Sequence, residues 1–585
     1  MDAATPAITD AARPATTVDV GSVEDLDANG HLVGTAGRYR VLVVAEAGRV
    51  VALDNRCPHM GFPLDRGTVA DGTLTCHWHH ARFDLASGCT FDPWADDALS
   101  FPVEVRDGRV LVGTEPLGRD WRAYRLRKLR EGLQHNIRLV IAKSLIGLAD
   151  QGATDEAVRD AALFGVRNRD RGWSAGLSIL TCMANVAPAL DAADRACAAY
   201  HGVLRVARST AAEPPSFDLE PLATSEVSPR RLTDWFRRFV ELRSASAAER
   251  TLKTAIRADL PAATVAHMVF AACTDHRFLD VGHTLDFANK AFELLDHIGW
   301  EHADEILPAL IPALVGATRM EETAAWRHPV DIPALLDGVY EELDGLVEAA
   351  PQQRERWDGH RELAEVILDQ PPADILDAMR DLLRAGVPLG ELAAAVAYSA
   401  ARRPVHFPTS NEHGDWDTVH HTFTYANAVD AAMARAPSSL LARGIFDAAM
   451  AVHLERFLNV PKRPIPQPSG LDRDAGELLE LFDTHGAVNE AGQVVADVVA
   501  VGGSRELICV LGRALLREDA GFHDYQMFEA GVRQHRRFAG RPEAGHVLIG
   551  VARFLAAQWP TVRSTKQTYD IALRLHRGEA VHEGV

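Results

Sequence analysis

Two cysteines and four histidines crowd residues 57 to 80 of the 585-residue chain, in CPHMGFPLDRGTVADGTLTCHWHH. The pattern is Cys57-x-His59, sixteen residues, then Cys76-x-x-His79. Two thiolates and two imidazoles suit either structural zinc in a tetrahedral cage or an asymmetric iron–sulfur cluster, with thiolates on one iron and imidazoles on the other. Zinc fingers keep the cysteine pair apart from the histidine pair. Here each hook carries one of each, which divides the ligands by metal atom rather than by strand. Seven cysteines in all are too few and too scattered for a disulfide framework. The flanks, RYRVLVVAEAGRVVALDN before the hooks and ALSFPVEVRDGRVLVG after them, alternate and turn like short antiparallel strands around glycine-bearing hairpins.

On these residues, the segment from about 17 to 115 resembles a Rieske [2Fe-2S] domain. CPHMGFPLDRGTV and CHWHHARFDLASG match that family's two cluster-binding loops. The resemblance implies that Cys57 and Cys76 hold the buried iron, that His59 and His79 hold the iron nearer the surface, and that Pro93 and its neighbours form a covering loop. One departure stands out: His80 and Ala81 follow the last ligand, where the family has glycine. High-potential members add a cysteine to each loop and a serine hydroxyl bonded to a sulfide. Met60 to Pro63 and Trp78 to Arg82 contain neither. Fewer hydrogen bonds to the sulfurs place the potential toward the low end of the Rieske range, roughly −150 mV, as in ferredoxin or oxygenase-type electron transfer.

At this length, two or more domains are expected. After Gly118 the chain turns helical in period and rich in Ala and Leu, and stays so. The predicted architecture is a tail over 1–16, an all-β Rieske domain over 17–115, a large all-α repeat domain over 116–460, a Pro-rich linker over 461–474 and a helical segment over 475–585. The helices repeat in pattern: four times a small-residue helix is followed by a polar turn and an aromatic that opens the next helix. Aligned on Trp173, Phe278, Trp416 and Phe522, the copies show Asp170, Asp275, His413 and Asp519 three residues earlier, and Ser178, His283, His421 and Met527 five residues later. Units this far apart are several helices each, and a duplicated fold is expected.

In the second copy His276, Asp280 and His283 fall at i, i+4 and i+7; in the third, His413, Asp417 and His421 fall at i, i+4 and i+8. If helix runs through both, each trio lines one face. Imidazole with carboxylate suits non-haem iron that keeps positions open for dioxygen, and two such faces in a bundle could share a metal. His283, His421 and Asp417 are the first-choice ligands, with His276, Asp280, His413 and His420 second, and His453 and His523 further candidates. Without a metal, the same residues would cap helices and bond to one another. Glu321 and Glu322 beside His328 read better as a solvated helix end. HRFLDVGHTLDF and HGDWDTVHHTFTYANA resemble segments of questin-oxidase-like proteins, an all-helical family associated with oxidative ring opening of aromatic polyketides.

Acidic residues outnumber basic ones by 81 to 61, and a net charge of −20 repels phosphate backbones, so nucleic acid is not an expected partner. The start lacks a basic and an apolar signal region, and no window holds about eighteen uninterrupted apolar residues; no membrane is expected, and the reading is a cytoplasmic protein. No G-x-G-x-x-G follows a predicted strand, so electrons must come from another protein, such as an NAD(P)H-dependent flavin reductase. The expected function is a Rieske electron carrier feeding a non-haem iron oxygenase site in the fused helical domain. Its other partners would be dioxygen and an apolar or aromatic small molecule. The alternative is a ferredoxin-like carrier whose helical domain is a docking scaffold or redox-sensing module.

Overall fold

The computed structural model describes residues 16–169, 172–223, 228–349, 357–579 and 581. The expected tail, Thr16 apart, and Asp170 of the repeat pattern lie outside them. By backbone contacts the chain forms two units. One runs to Ala157 and resumes at Gln567; the other is Val158–Lys566.

The first unit opens with ten short strands in three antiparallel sheets, none closed into a barrel among the described residues. β1 (Thr17–Ser22), β10 (Arg109–Gly113) and β9 (Val103–Arg106) form one; β2 (His31–Ala36), β3 (Tyr39–Glu46), β4 (Arg49–Asp54) and β8 (Ser100–Phe101) the second; β5 (Thr68–Ala70), β6 (Thr73–Thr75) and β7 (Arg82–Asp84) the third. The β3–β4 hairpin turns at Ala47 and Gly48, both at positive φ, and β5–β6 turns likewise at Asp71 and Gly72. Both are the left-handed pairs whose twist matches that of the flanking strands. β3 is buried on both faces. Val41 and Val43 enter a core with Tyr39, Phe101, Val110 and Val112, while Leu42 and Val44 enter a second core with Leu53, Leu74 and Phe83. Cys57 and Cys76 belong to that second core.

Two helices, Trp121–Gln134 and Arg138–Ala149, complete this unit with the end of the chain. Backbone contacts group both helices, and the chain from Gln567, with the β domain. The reason lies in the side chains these helices send to the β domain. The Tyr124 hydroxyl accepts from the Asp97 amide at 2.9 Å, Arg125 pairs with Asp96 at 3.1 Å, and Lys143 reaches the first hook.

In the second unit, each of the four junctions delivers one helix: Ala175–Val186, His283–Ile298, His413–Arg435 and Phe522–Arg537. The first packs on the second and fourth, and the third does the same, closing a ring. Helix starts are specified locally. Ser174 caps the first, Glu412 and Asp415 form a reciprocal cap on the third, and Asp524 accepts the Gly521 amide at the fourth. The aromatic opens its helix only at Phe522. Trp173 precedes its helix, Trp416 lies inside, and Phe278 sits in a turn before His283. The ring's interior is polar: Lys290 Nζ donates to Glu293 at 2.8 Å and Glu529 at 2.7 Å, and Asn185 donates to the same two carboxylates. Among the described residues no helix is long and apolar enough to cross a membrane.

Candidate metal centres

The two hooks fold alike. Cys57 donates its amide to Phe62 O at 2.7 Å and accepts from the Gly61 amide at 2.7 Å; Cys76 donates to Ala81 O at 2.9 Å and accepts from the His80 amide at 3.0 Å. Each hook thus reverses through one left-handed residue, Gly61 at φ +84° and His80 at φ +64°. His80 therefore occupies the conformation for which glycine is the usual residue.

The pairing brings Cys57 and Cys76 side by side. Their shared hydrogen bond pulls the Cys76 thiol down to about 6 and pushes Cys57 well up. The His59 and His79 rings meet edge to face, with centroids 4.8 Å apart. Trp94, next to Pro93, packs on His59 at 4.8 Å, and Trp78 tilts against His79 at 4.2 Å. His59 is held neutral, its pKa lowered to about 4 by burial and then by Lys143. Its Nδ1 is buried without a hydrogen-bond partner. An orphaned imidazole nitrogen on a ring packed against a second imidazole, in the loop that carries one of two paired thiols, is costly in a bare protein and is what a cluster bound by two cysteines and two histidines requires. The residues fit a [2Fe-2S] group.

A second convergence lies at one end of the helix ring. One ligand atom each from His283, His421 and His523 lies within 4.8 Å of the other two. His421 Nε2 and His523 Nε2 are 3.1 Å apart, close to the spacing of adjacent ligands at about 2.0–2.1 Å from one ion. Burial keeps His283 and His421 neutral, lowering them to about 4 and about 3. Asp417 is not among the three. Its Oδ1 takes the other nitrogen of His523, Nδ1, at 3.1 Å, which directs Nε2 to the centre.

The remaining sequence candidates sit elsewhere. The chain from Thr274 to Gly282 is not α-helical, so the i, i+4, i+7 face does not form; helix begins at His283. His276 is taken on both nitrogens, by Glu321 at 2.6 Å and Glu241 at 2.6 Å, and these carboxylates raise its pKa. Glu321 is thus an ion-pair partner, not a solvated helix end. Asp280 is exposed at φ +51°. His413 starts its helix and stays in solvent, its side chain 71% exposed, 3.6 Å from Asp417. His453 stands apart from the trio. His420 lies inside, fully buried, with neither nitrogen hydrogen-bonded and its ring 4.6 Å from that of His523.

His523 was the residue the repeat alignment passed over, because its fifth position points to Met527. The available signal was GFHD, where His523 directly follows the junction aromatic. Phe287 and Phe522 flank His283, at 5.3 and 5.7 Å between centroids. At the other end of the ring a cavity of about 730 Å³ is instead lined by charge, including Glu293, Arg435, Glu529 and Arg533.

Comparison with known proteins places the first site in a family. A model of the Rieske [2Fe-2S] domain matches residues 16–102. The ferredoxin component of the alkene monooxygenase system of Xanthobacter autotrophicus (strain ATCC BAA-1158 / Py2) is 39% identical over 107 residues, covering 18% of this chain and 88% of its own. The aminopyrrolnitrin oxygenase PrnD of Pseudomonas fluorescens is 33% identical over 88 residues, 14% of this chain and 24% of its own. Among solved structures, the ferredoxin of carbazole 1,9a-dioxygenase from Nocardioides aromaticivorans IC177 is 25% identical, covering 17% of this chain and 100% of its own, with a TM-score of 0.17. None of these matches names the helical unit.

Proposed function

We propose, from the chain's membership of the Rieske [2Fe-2S] family through residues 16–102, that it is an electron carrier joined to its own acceptor, a metal-dependent oxygenase site in the helical unit. Cys57, Cys76, His59 and His79 would hold the cluster, and a bound cluster takes up and releases one electron at a time. The protein's part is to keep the His59 imidazole neutral, to bury the cysteine pair in a core, and to leave His79 at the surface where a donor can approach.

The observation that carries the oxygenase reading is the meeting of His283, His421 and His523 from three ring helices, with Asp417 fixing the tautomer of His523. Three imidazoles on one side of an ion leave its other positions open, as a site handling dioxygen requires. The donor set is all histidine, so the third protein ligand is His523 where a carboxylate was expected. Non-haem iron is the metal of this reading. The two segments similar to questin-oxidase-like proteins are those that supply His283 and His421, which favours an apolar aromatic substrate. An NAD(P)H-dependent flavin reductase in the cytoplasm would supply the electrons. Fusion holds carrier and acceptor at millimolar effective concentration, useful where each turnover needs two electrons delivered singly.

Metal and acid-labile sulfide assayed on the same anaerobic preparation test this. Iron should exceed sulfide by about one atom per chain, and His421→Ala should remove that excess while the reduced cluster's electron paramagnetic resonance signal persists. Equal iron and sulfide, unchanged by His421→Ala, would leave the helical unit a docking scaffold or redox-sensing module and the chain a ferredoxin-like carrier.

A further inference from the structure

Lys143 lies in the middle of the helix Arg138–Ala149, among Val140, Ile141, Ala142 and Leu145, all buried. The lysine is itself only 6% exposed. Its Nζ donates to the carbonyl oxygens of Pro58 and, at 2.8 Å, His59, the peptide units directly after the first cluster cysteine. Burying an ammonium is costly unless its surroundings compensate it. Among the described residues, two carbonyls and one distant carboxylate are what it meets here. Asp96 Oδ2 is 4.0 Å away and is shared with Arg125 at 3.1 Å, while Asp96 Oδ1 has no partner. Lys128, from the preceding helix, is occupied by Glu131. Among the described residues, Lys143, Arg125 and Asp96 therefore sum to one net positive charge, buried against the loop that carries Cys57 and His59.

We propose that Lys143 sets the potential of the cluster: it pins the first hook by its carbonyls and favours the reduced state, raising the reduction potential above what the hooks alone would give. The step it acts on is the addition of one electron, supplied by the external donor, to the group held by Cys57, His59, Cys76 and His79. No bond to the lysine forms or breaks, and its protons stay on Nζ. The reduced cluster carries one more negative charge than the oxidised one, and a fixed cation inside the protein, screened less than one in bulk water, lowers the energy of that state. The inference rests on the Rieske reading and is independent of the histidine site.

The test is a mediated redox titration of full-length, cluster-loaded protein, followed by visible absorbance, with electron paramagnetic resonance to verify that two histidines still ligate. Lys143→Gln should shift the oxidised-to-reduced ratio at fixed ambient potential at least tenfold toward oxidised, which for one electron is 59 mV. Lys143→Arg, which keeps the charge, should shift it less than threefold. Asp96→Asn should move it toward reduced. An intact spectrum with unmoved potential in Lys143→Gln overturns the proposal, as does Lys143→Arg falling as far as Lys143→Gln. If Lys143→Gln fails to hold a cluster, Asp96→Asn decides: a potential that stays or falls overturns it. A wild-type protein without a cluster would fail the family reading instead, so the two failures are distinguishable.

Discussion

His80 shows how one residue can depart from a pattern without altering the structure the pattern encodes. It reverses the second hook at φ +64°, as Gly61 does for the first at φ +84°, and its side chain faces solvent. A side chain with a Cβ in that region costs about 1–2 kcal/mol relative to glycine, offset in part by glycine's greater freedom in the unfolded chain. His80→Gly should therefore stabilise the cluster-loaded first unit by about 1 kcal/mol, read as a higher urea midpoint for loss of the cluster's visible absorbance, with the spectrum itself unchanged. A lower midpoint would mean that the His80 imidazole contributes more than its backbone costs. Asp417 teaches a related lesson. The sequence places it four residues from His421, the right spacing for a shared ligand face, yet it holds the far nitrogen of His523. Spacing brings a carboxylate near an imidazole; which nitrogen it takes depends on a helix 106 residues away.

The element that decides the second site is the turn before His283, not a helix. Phe278, Asp280 and Val281 have φ of +48°, +51° and +49°, and Gly282 has φ +95°. For a β-branched residue such as Val281 this is an outlier that only surrounding structure can hold in place. Gly282 has no room to spare, since an added Cβ would lie 2.8 Å from the Cβ of Tyr425 and 2.9 Å from the Phe278 ring. Tyr425 stands one turn beyond His421, so the same packing sets His283 against its partner histidine. Gly282→Ala should displace His283, costing about 2–3 kcal/mol of stability and the metal in excess of the cluster, while the cluster's own spectrum stays. Retention of that metal in a folded variant would show that His283 is dispensable. The turn also explains what was legible in the sequence. The cluster hooks and their hairpins were readable because their ligands lie within a few residues of a turn whose chemistry is local. The ring helices were readable as four recurring junctions. The His276, Asp280, His283 face was not, because consecutive left-handed residues break a periodicity that the spacing alone satisfies, and His523 joins the site only through packing of distant helices.

For the whole molecule, the buried titratable groups set opposing slopes of stability against pH. His201 is lowered to about 3 and His406 and His546 to about 4, each chiefly by burial. The unfolded chain takes up their protons below about 6.5 and the folded chain does not, so stability is lost as pH falls from 6.5 toward 4. Glu455 behaves oppositely. It is fully buried, accepts a hydrogen bond from the Thr422 hydroxyl, has an unpartnered Oε2, and is raised to about 8 by burial. The folded chain keeps that proton where the unfolded chain has released it, so its contribution is full below about 4.5 and is lost as pH rises toward 8. Between 4 and 6.5 the two sets oppose each other; above 6.5 the histidines no longer bind protons in either state and Glu455 acts without them. Urea unfolding of the full chain should thus lose about 2 kcal/mol between pH 6.5 and 8 from this one carboxyl, at roughly 1.4 kcal/mol per pH unit. Glu455→Gln, which keeps the shape and the acceptor for Thr422 but has no proton to lose, should flatten that decline while leaving the acid limb below 6.5 in place. An unchanged slope in the variant would mean that Glu455 is already ionised in the folded protein, with Arg403 or water reaching it.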